Sequence, residues 1–149
     1  VSLGVEVIVL DHITAAATGM LGSMNDNERL LIDSLMKELR SLVSRTGVHI
    51  HIVSQLVKNG KAFEEGERIT MQDLRGSGSL ASVPNTVIAL ERNRQDPDEV
   101  VKNTTTVRVL KNRLTGKCGV ASALYYNHNC GRLEEVEYQE SDAGNVTFD

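Results

Sequence analysis

A run of apolar residues broken only by Glu6 ends abruptly at Asp11-His12, and this places an acid where a buried strand stops. Open α/β sheets bind ligands at the carboxyl ends of such strands. In a nucleotide-binding sheet an acid there holds the Mg²⁺ that neutralises the β- and γ-phosphates. The other use of such a residue is to cap the loop that follows. A second β-branched run, VHIHIVS, ends at Gln55, whose amide could sense a γ-phosphate or orient water, or could simply open a loop. His49 and His51 alternate on that run and face one side, but with no third ligand in view they read as packed or edge histidines. Beyond Gln55, Lys58 and Lys61 stand beside glycines in a polar arm that could reach a phosphate backbone. In DLRGSG, Gly76 and Gly78 flank the small Ser77 and leave backbone N–H groups open to an anion or another backbone. The same residues also suit a tight turn into a helix capped by Asp73 or Ser79. LKNRLTG sets Lys111 and Arg113 two apart near a strand end, where two cations could clamp a phosphate, reach a neighbouring subunit's nucleotide, or remain solvated.

The phosphate-gripping partner of such an acid, GxxxxGK[ST], is absent. The Gly-Lys pairs, Gly60-Lys61 and Gly116-Lys117, are followed by Ala62 and Cys118 and lack the earlier glycine. This chain by itself therefore cannot cradle a triphosphate in the usual way.

The elements that must position these residues follow from pattern. Residues 5–10 and 48–54 read as strands buried on both faces of a parallel sheet. A loop rich in Ala, Gly, Ser and Met follows the first strand. Leu31, Leu35, Leu39 and Leu42 recur at helical spacing with Ile32, Met36 and Val43 beside them, which predicts a helix of about 20 residues. Asn25 or Asp26 would cap it and Gly47 would stop it. Strand, helix, strand is a βαβ crossover, so the fold class is α/β. TVIALE (86–91) reads as a third buried strand, 93–103 as a charged loop with Pro97, and 104–111 as an alternating strand. Residues 120–126 and 132–138 form a terminal hairpin.

The length of 149 residues suits one domain, and 40% hydrophobic with 24% charged residues is ordinary for a folded chain. No apolar run approaches the roughly 20 residues of a membrane-spanning helix, and the first ten residues do not read as a secretory signal. The net charge of −4 is uneven: from Leu133 onward there are six acids and no Lys or Arg, so the preceding body is slightly positive. That balance permits nucleic-acid binding. Cys118 and Cys130, without a CxxC, suggest neither a disulfide framework nor zinc. With 3% aromatic residues and no Trp, base stacking is a minor device at most.

Taken in order, VIVLDHI, HIVSQLVKNGKAFEEG, ITMQDLRGSGSL, VIALERNRQ and VRVLKNRLTGKCGVA resemble the carboxyl-terminal half of the hexameric, RecA-fold DnaB-like replicative helicases. Within that family the primase–helicases of T-odd-type phages look nearest, with the mitochondrial helicase Twinkle as a cousin. The resemblance runs over residues 5–133, and DLRGSG, ALERN and LKNRLTG carry its specificity together.

It implies a RecA-like P-loop NTPase sheet with the Walker A half absent, mostly parallel and ending in an antiparallel hairpin. Residues 1–138 would be a partial motor domain and 139–149 an acidic, disordered tail. The resemblance makes Asp11 the Walker B acid at Mg²⁺ with ATP or dTTP, and Gln55 the γ-phosphate sensor, where some relatives have His. Lys58 and Lys61 would lie on the DNA-binding loop of the central channel, with Arg75, Gly76, Ser77 and Gly78 lining the channel beside it. Arg113 would be an arginine finger acting in trans, with Lys111 next to it. Implied partners are single-stranded DNA, further subunits of a hexameric or heptameric ring, and the phage DNA polymerase through the acidic tail. The implied location is the bacterial host's cytoplasm. Because Walker A and the catalytic glutamate lie upstream in the family, and the chain starts at Val1, the expectation is an inactive fragment of a longer helicase. The competing readings are a RecA- or RadA-like recombinase ATPase and a non-catalytic DNA-binding or assembly module.

Overall fold

The computed structural model describes residues 4–19, 28–57, 60–76 and 78–137. Two compact units divide the chain: Val1–Lys61 with Thr70–Val87, and Ala62–Ile69 with Ile88–Asp149.

In the first unit, β1 (Val7–Leu10) and β2 (His49–Ile52) pair in parallel, with Val7 opposite His49 and Leu10 opposite Ile52. The ladder continues past the strands, where the Val53 N–H donates to the Leu10 carbonyl (2.9 Å) and the Ile13 N–H to that of Val53 (3.0 Å). Between them run α1 (Ile13–Gly19) and α2 (Glu28–Thr46). The long helix ends as the leucine periodicity predicts. Gly47 takes a positive φ of 73°, and its N–H reaches back to the Val43 carbonyl at 2.8 Å. Its expected caps, Asn25 and Asp26, lie outside the described residues.

The first helix corrects the expectation of a loop after Asp11. Alanine has the highest helix propensity, and Ile13 and Ala17, one turn apart, bury one face fully against α2. The core of this unit is Ile13, Ala17, Ile32, Leu35, Met36 and Leu80, with Leu10, Ile52 and Leu74 packed against it.

A second correction concerns the strands read as buried on both faces. Ile8, Leu10, Ile50 and Ile52 are half-buried, but Val7 and Val9 are 55% and 67% exposed, and His49 and His51 share that exposed face with rings 4.5 Å apart. An apolar run specifies a strand that can be buried twice; the covering layer is a separate matter. The same applies to β3 (Thr86–Glu91), where Ile88 and Leu90 are exposed while Ala89 and Glu91 are buried.

The second unit is built on a sheet of order β3-β4-β5-β6, with β4 (Thr104–Asn112), β5 (Gly119–Asn127) and β6 (Arg132–Val136) antiparallel in sequence. The α/β class with parallel and antiparallel pairing is as expected. The antiparallel part extends one strand beyond the terminal hairpin and takes in β4. The charged loop after β3 contains a short helix, α4 (Glu99–Lys102), capped by Asp98, whose carboxylate accepts from the Val100 N–H at 2.7 Å. Among the described residues, no helix is long and apolar enough to cross a membrane.

Since Ile32 is fully buried and Leu30 is 64% exposed on the same helix, Ile32→Ala is expected to cost about 2–5 kcal/mol. Leu30→Ala should change stability by less than about 0.5 kcal/mol. Denaturant unfolding of the two variants measures this, and equal losses would show that α2 is not seated on its Ile32 face.

Candidate functional site

Asp11 follows the last residue of β1 and is exposed; His12 begins the turn into α1. Parallel pairing brings the end of β2 alongside, and Gln55 meets His12 rather than Asp11: Gln55 Nε2 and His12 Nε2 lie 3.3 Å apart. On its other side the Gln55 Oε1 accepts from Arg75 Nη1 at 3.4 Å, and the Arg75 Nε lies 3.4 Å from the Glu28 carboxylate at the start of α2. Four side chains from four segments thus form a chain beside Asp11.

One oxygen has to serve two donors here. The His12 Nδ1 accepts from the Ala15 N–H (3.3 Å), and a neutral imidazole that accepts at Nδ1 carries its proton on Nε2. Gln55 therefore faces the His12 N–H at one end and a guanidinium, which only donates, at the other. Its single carbonyl can satisfy either but not both. An amide in that position has two orientations close in energy, so a small change at the strand end can select between them.

Asp11 is the candidate metal ligand. Among the described residues no three His, Cys, Asp or Glu side chains converge on one point. A lone exposed carboxylate fits Mg²⁺, which is held by one or two carboxylates with phosphate oxygens and water completing the shell.

Behind Gln55 the chain is zipped to the DLRGSG segment. The Arg75 N–H donates to the Gln55 carbonyl (2.9 Å), the Val57 N–H donates to that of Asp73 (2.8 Å), and Leu56 bridges Leu74 in antiparallel fashion. Gln55, Leu56, Val57 and Arg75 line one open cleft. Asp73, 1% exposed, ends the short 3₁₀ turn Met71–Asp73, and its Oδ2 accepts from Lys61 Nζ (2.7 Å) and from the N–H and hydroxyl of Thr70 (2.8 and 2.7 Å). Asp73 therefore caps the turn before the RGSG run, and the helix that follows, α3 (Ser79–Ser82), has Gly78 at its N-cap without a side-chain bond.

Gly76 has a reason of its own. It adopts φ +111°, and a Cβ there would stand 2.4 Å from Cδ1 of the fully buried Ile32. Its lack of a side chain lets the turn seat on α2, a use distinct from close approach to DNA and compatible with it.

In the second unit, Lys111 and Arg113 flank the β4–β5 turn. The Asn112 Oδ1 accepts from the N–H groups of Leu114 (3.1 Å) and Thr115 (3.3 Å), and Gly116 closes the turn with its N–H on the Asn112 carbonyl (2.9 Å). Arg113 is exposed and Leu114 is 85% exposed at this fixed tip. Partial burial holds the Lys111 ammonium below its usual pKa, and the like charge of Arg113 adds to the effect. The base of β4 is fixed by a buried pair, Arg108 Nε to Glu91 Oε2 at 2.8 Å, while Glu91 Oε1 accepts from the Ile69 N–H at 2.9 Å.

Of the residues singled out in the sequence, Asp11, Gln55, Lys61, Arg75, Gly76 and Gly78 gather in the first unit, and Lys111 and Arg113 in the second. Lys58 and Ser77 lie outside the described residues, as does the acidic tail. Lys61 is engaged with Asp73, so any phosphate contact by its ammonium would have to break that pair. The reading of the sequence missed His12, Glu28, Asp73 as a ligand of Lys61, and Glu91. Only Asp73 left a signal, as the fourth residue of T-x-x-D.

A strand-end acid, a neighbouring polar sensor and a phosphate-facing arm on an α/β scaffold define a RecA-like nucleotide-dependent motor half. Two solved structures share the fold. The ATPase domain of one DnaB-like helicase superposes with a TM-score of 0.69 at 23% identity, over 88% of this chain and 44% of that one. A second DnaB-like replicative helicase, solved in a study of its interactions with primase, gives 0.70 at 22% identity, over 88% of this chain and 30% of that one. The chain belongs to the DnaB-like helicase C-terminal domain family, whose model matches residues 2–135. It is 41% identical over 148 residues to the DNA helicase/primase of Enterobacteria phage T3, and it spans about a quarter of that relative's length. This membership favours the helicase family over the recombinase alternative.

The Gly76 geometry sets a prediction. Gly76→Ala combines positive-φ strain with overpacking against Ile32 and should destabilise the first unit by about 2–4 kcal/mol. Urea denaturation reads it; unchanged stability would mean that the turn does not rest on α2.

Proposed function

We propose that this chain is the second half of the motor domain of a replicative DNA helicase that hydrolyses ATP or dTTP to move along single-stranded DNA and unwind duplex. The carrying observation is the backbone zip between Gln55–Val57 and Asp73–Arg75 directly behind the Asp11 strand end. It gives a polar group at the nucleotide end and a cationic arm at the other end of one short, braced segment. Family membership supports the same reading.

In this account Asp11 holds Mg²⁺, which when bound would offset the charge of the β- and γ-phosphates; the triphosphate grip comes from sequence upstream of this half-domain. Gln55 reports the state of the γ-phosphate by choosing between His12 and Arg75. Lys58, Arg75 and the Gly76–Gly78 backbone face single-stranded DNA through its phosphates, which suits a motor that must step over any sequence. Arg113, presented on the turn fixed by Asn112, acts as an arginine finger on the adjoining subunit's nucleotide, and this ties hydrolysis to ring assembly. Lys111 shares that rim. The ring is a hexamer or heptamer, the acidic tail engages the phage DNA polymerase, and the protein works in the cytoplasm of the infected host.

In rings of the full-length protein, Arg113→Ala subunits should bind nucleotide normally but lower hydrolysis at the adjoining site by roughly 10³-fold or more. Mixing intact and Arg113→Ala subunits and following NTP turnover tests the assignment. Turnover that does not fall as mutant subunits are added would remove Arg113 from the reaction.

A further inference from the structure

Lys61 and Thr70 are the two places where the chain leaves and rejoins the first unit, because Ala62–Ile69 packs within the second. Both converge on the same buried oxygen, Oδ2 of Asp73. The segment between them is held in turn by Glu91, Asn93 and Arg94. The Ile69 N–H donates to Glu91 (2.9 Å), Glu65 bridges Asn93, and the Arg94 N–H donates to the Glu64 carbonyl (2.8 Å). Asp73 also supplies the carbonyl that receives the Val57 N–H, so its main chain and its side chain both brace the arm.

A carboxylate that is 1% exposed cannot turn to water if its cation leaves. A lysine drawn off to a DNA phosphate would strand that charge, whereas a phosphate contact at a solvated surface is screened by salt. The balance favours the pair. We propose that Lys61 is a positioning residue, a latch that closes the base of the Gln55–Lys61 arm on Asp73, and that it does not contact DNA phosphate. This rests on the reading of the arm as DNA-binding, and Lys58 is left as its phosphate contact.

The test uses the full chain, oligo-dT as probe, and two readouts: affinity across a salt series, and hydrogen exchange at the Val57 and Arg75 amides without DNA. Lys58→Ala should flatten the salt dependence by about one unit of slope. Lys61→Met should weaken binding by roughly tenfold at every salt concentration with the slope unchanged, because a disordered arm pays its ordering on binding. It should also speed exchange at both amides. The double variant Lys61→Met/Asp73→Asn removes charge and counter-charge together, so it should recover slow exchange and parental affinity even if the single variant unfolds. A loss of slope in Lys61→Met, or a double variant that stays weak with reduced slope, would overturn the latch. Faster exchange in Lys61→Met with DNA binding unaffected by either lysine would support the latch and sink the DNA reading of the arm.

Discussion

A buried carboxylate keeps its charge only where donors surround it, and Asp73 draws those donors from both ends of one chain excursion. Much of the first unit's functional edge depends on that constraint. With Lys61 and Thr70 fixed on Asp73, the backbone of residues 55–57 can run antiparallel to residues 73–75, and Arg75 is delivered to Gln55. Gly76 then turns the chain onto α2 in the space that a side chain would deny it. The turn that presents the glycine run is therefore held from two sides, by an ion pair and by close packing.

The second unit uses the same device for a different end. Glu91 is buried, with one oxygen on Arg108 and the other on the Ile69 N–H, and so it locks the strand that leads to Arg113. The tip itself is set by Asn112, which folds its own turn. Charged groups that must act at a surface are thus carried on segments whose own polar groups are already satisfied, and ordered segments lose less entropy when they engage a ligand.

The elements were legible where pattern and burial agree. The leucine spacing of α2 and its Gly47 stop, the β1–β2 crossover and the terminal hairpin all follow from period and turn chemistry. The α1 helix was missed because alanine and glycine carry no amphipathic signal, and α4 because four residues are too few for a period. Exposure of Val7, Val9, Ile88 and Leu90 could not be read from the runs that contain them, since hydrophobicity does not state what covers a face. Asp11 and Gln55 were visible as polar residues ending apolar strands, whereas His12 and Glu91 became meaningful only once distant segments met. Lys61 shows the limit most clearly: beside a glycine in a polar loop it reads as a solvated cation, and its partner lies twelve residues on.

If Gln55 joins the strand end to the arm, nucleotide and DNA must influence each other's binding through it. The most direct measurement is single-stranded DNA affinity of the full-length protein with and without a non-hydrolysable NTP, compared between the parent and Gln55→Ala. The account predicts that nucleotide changes the DNA affinity of the parent and that this dependence collapses in Gln55→Ala while nucleotide binding persists. An equal nucleotide effect in both proteins would contradict it.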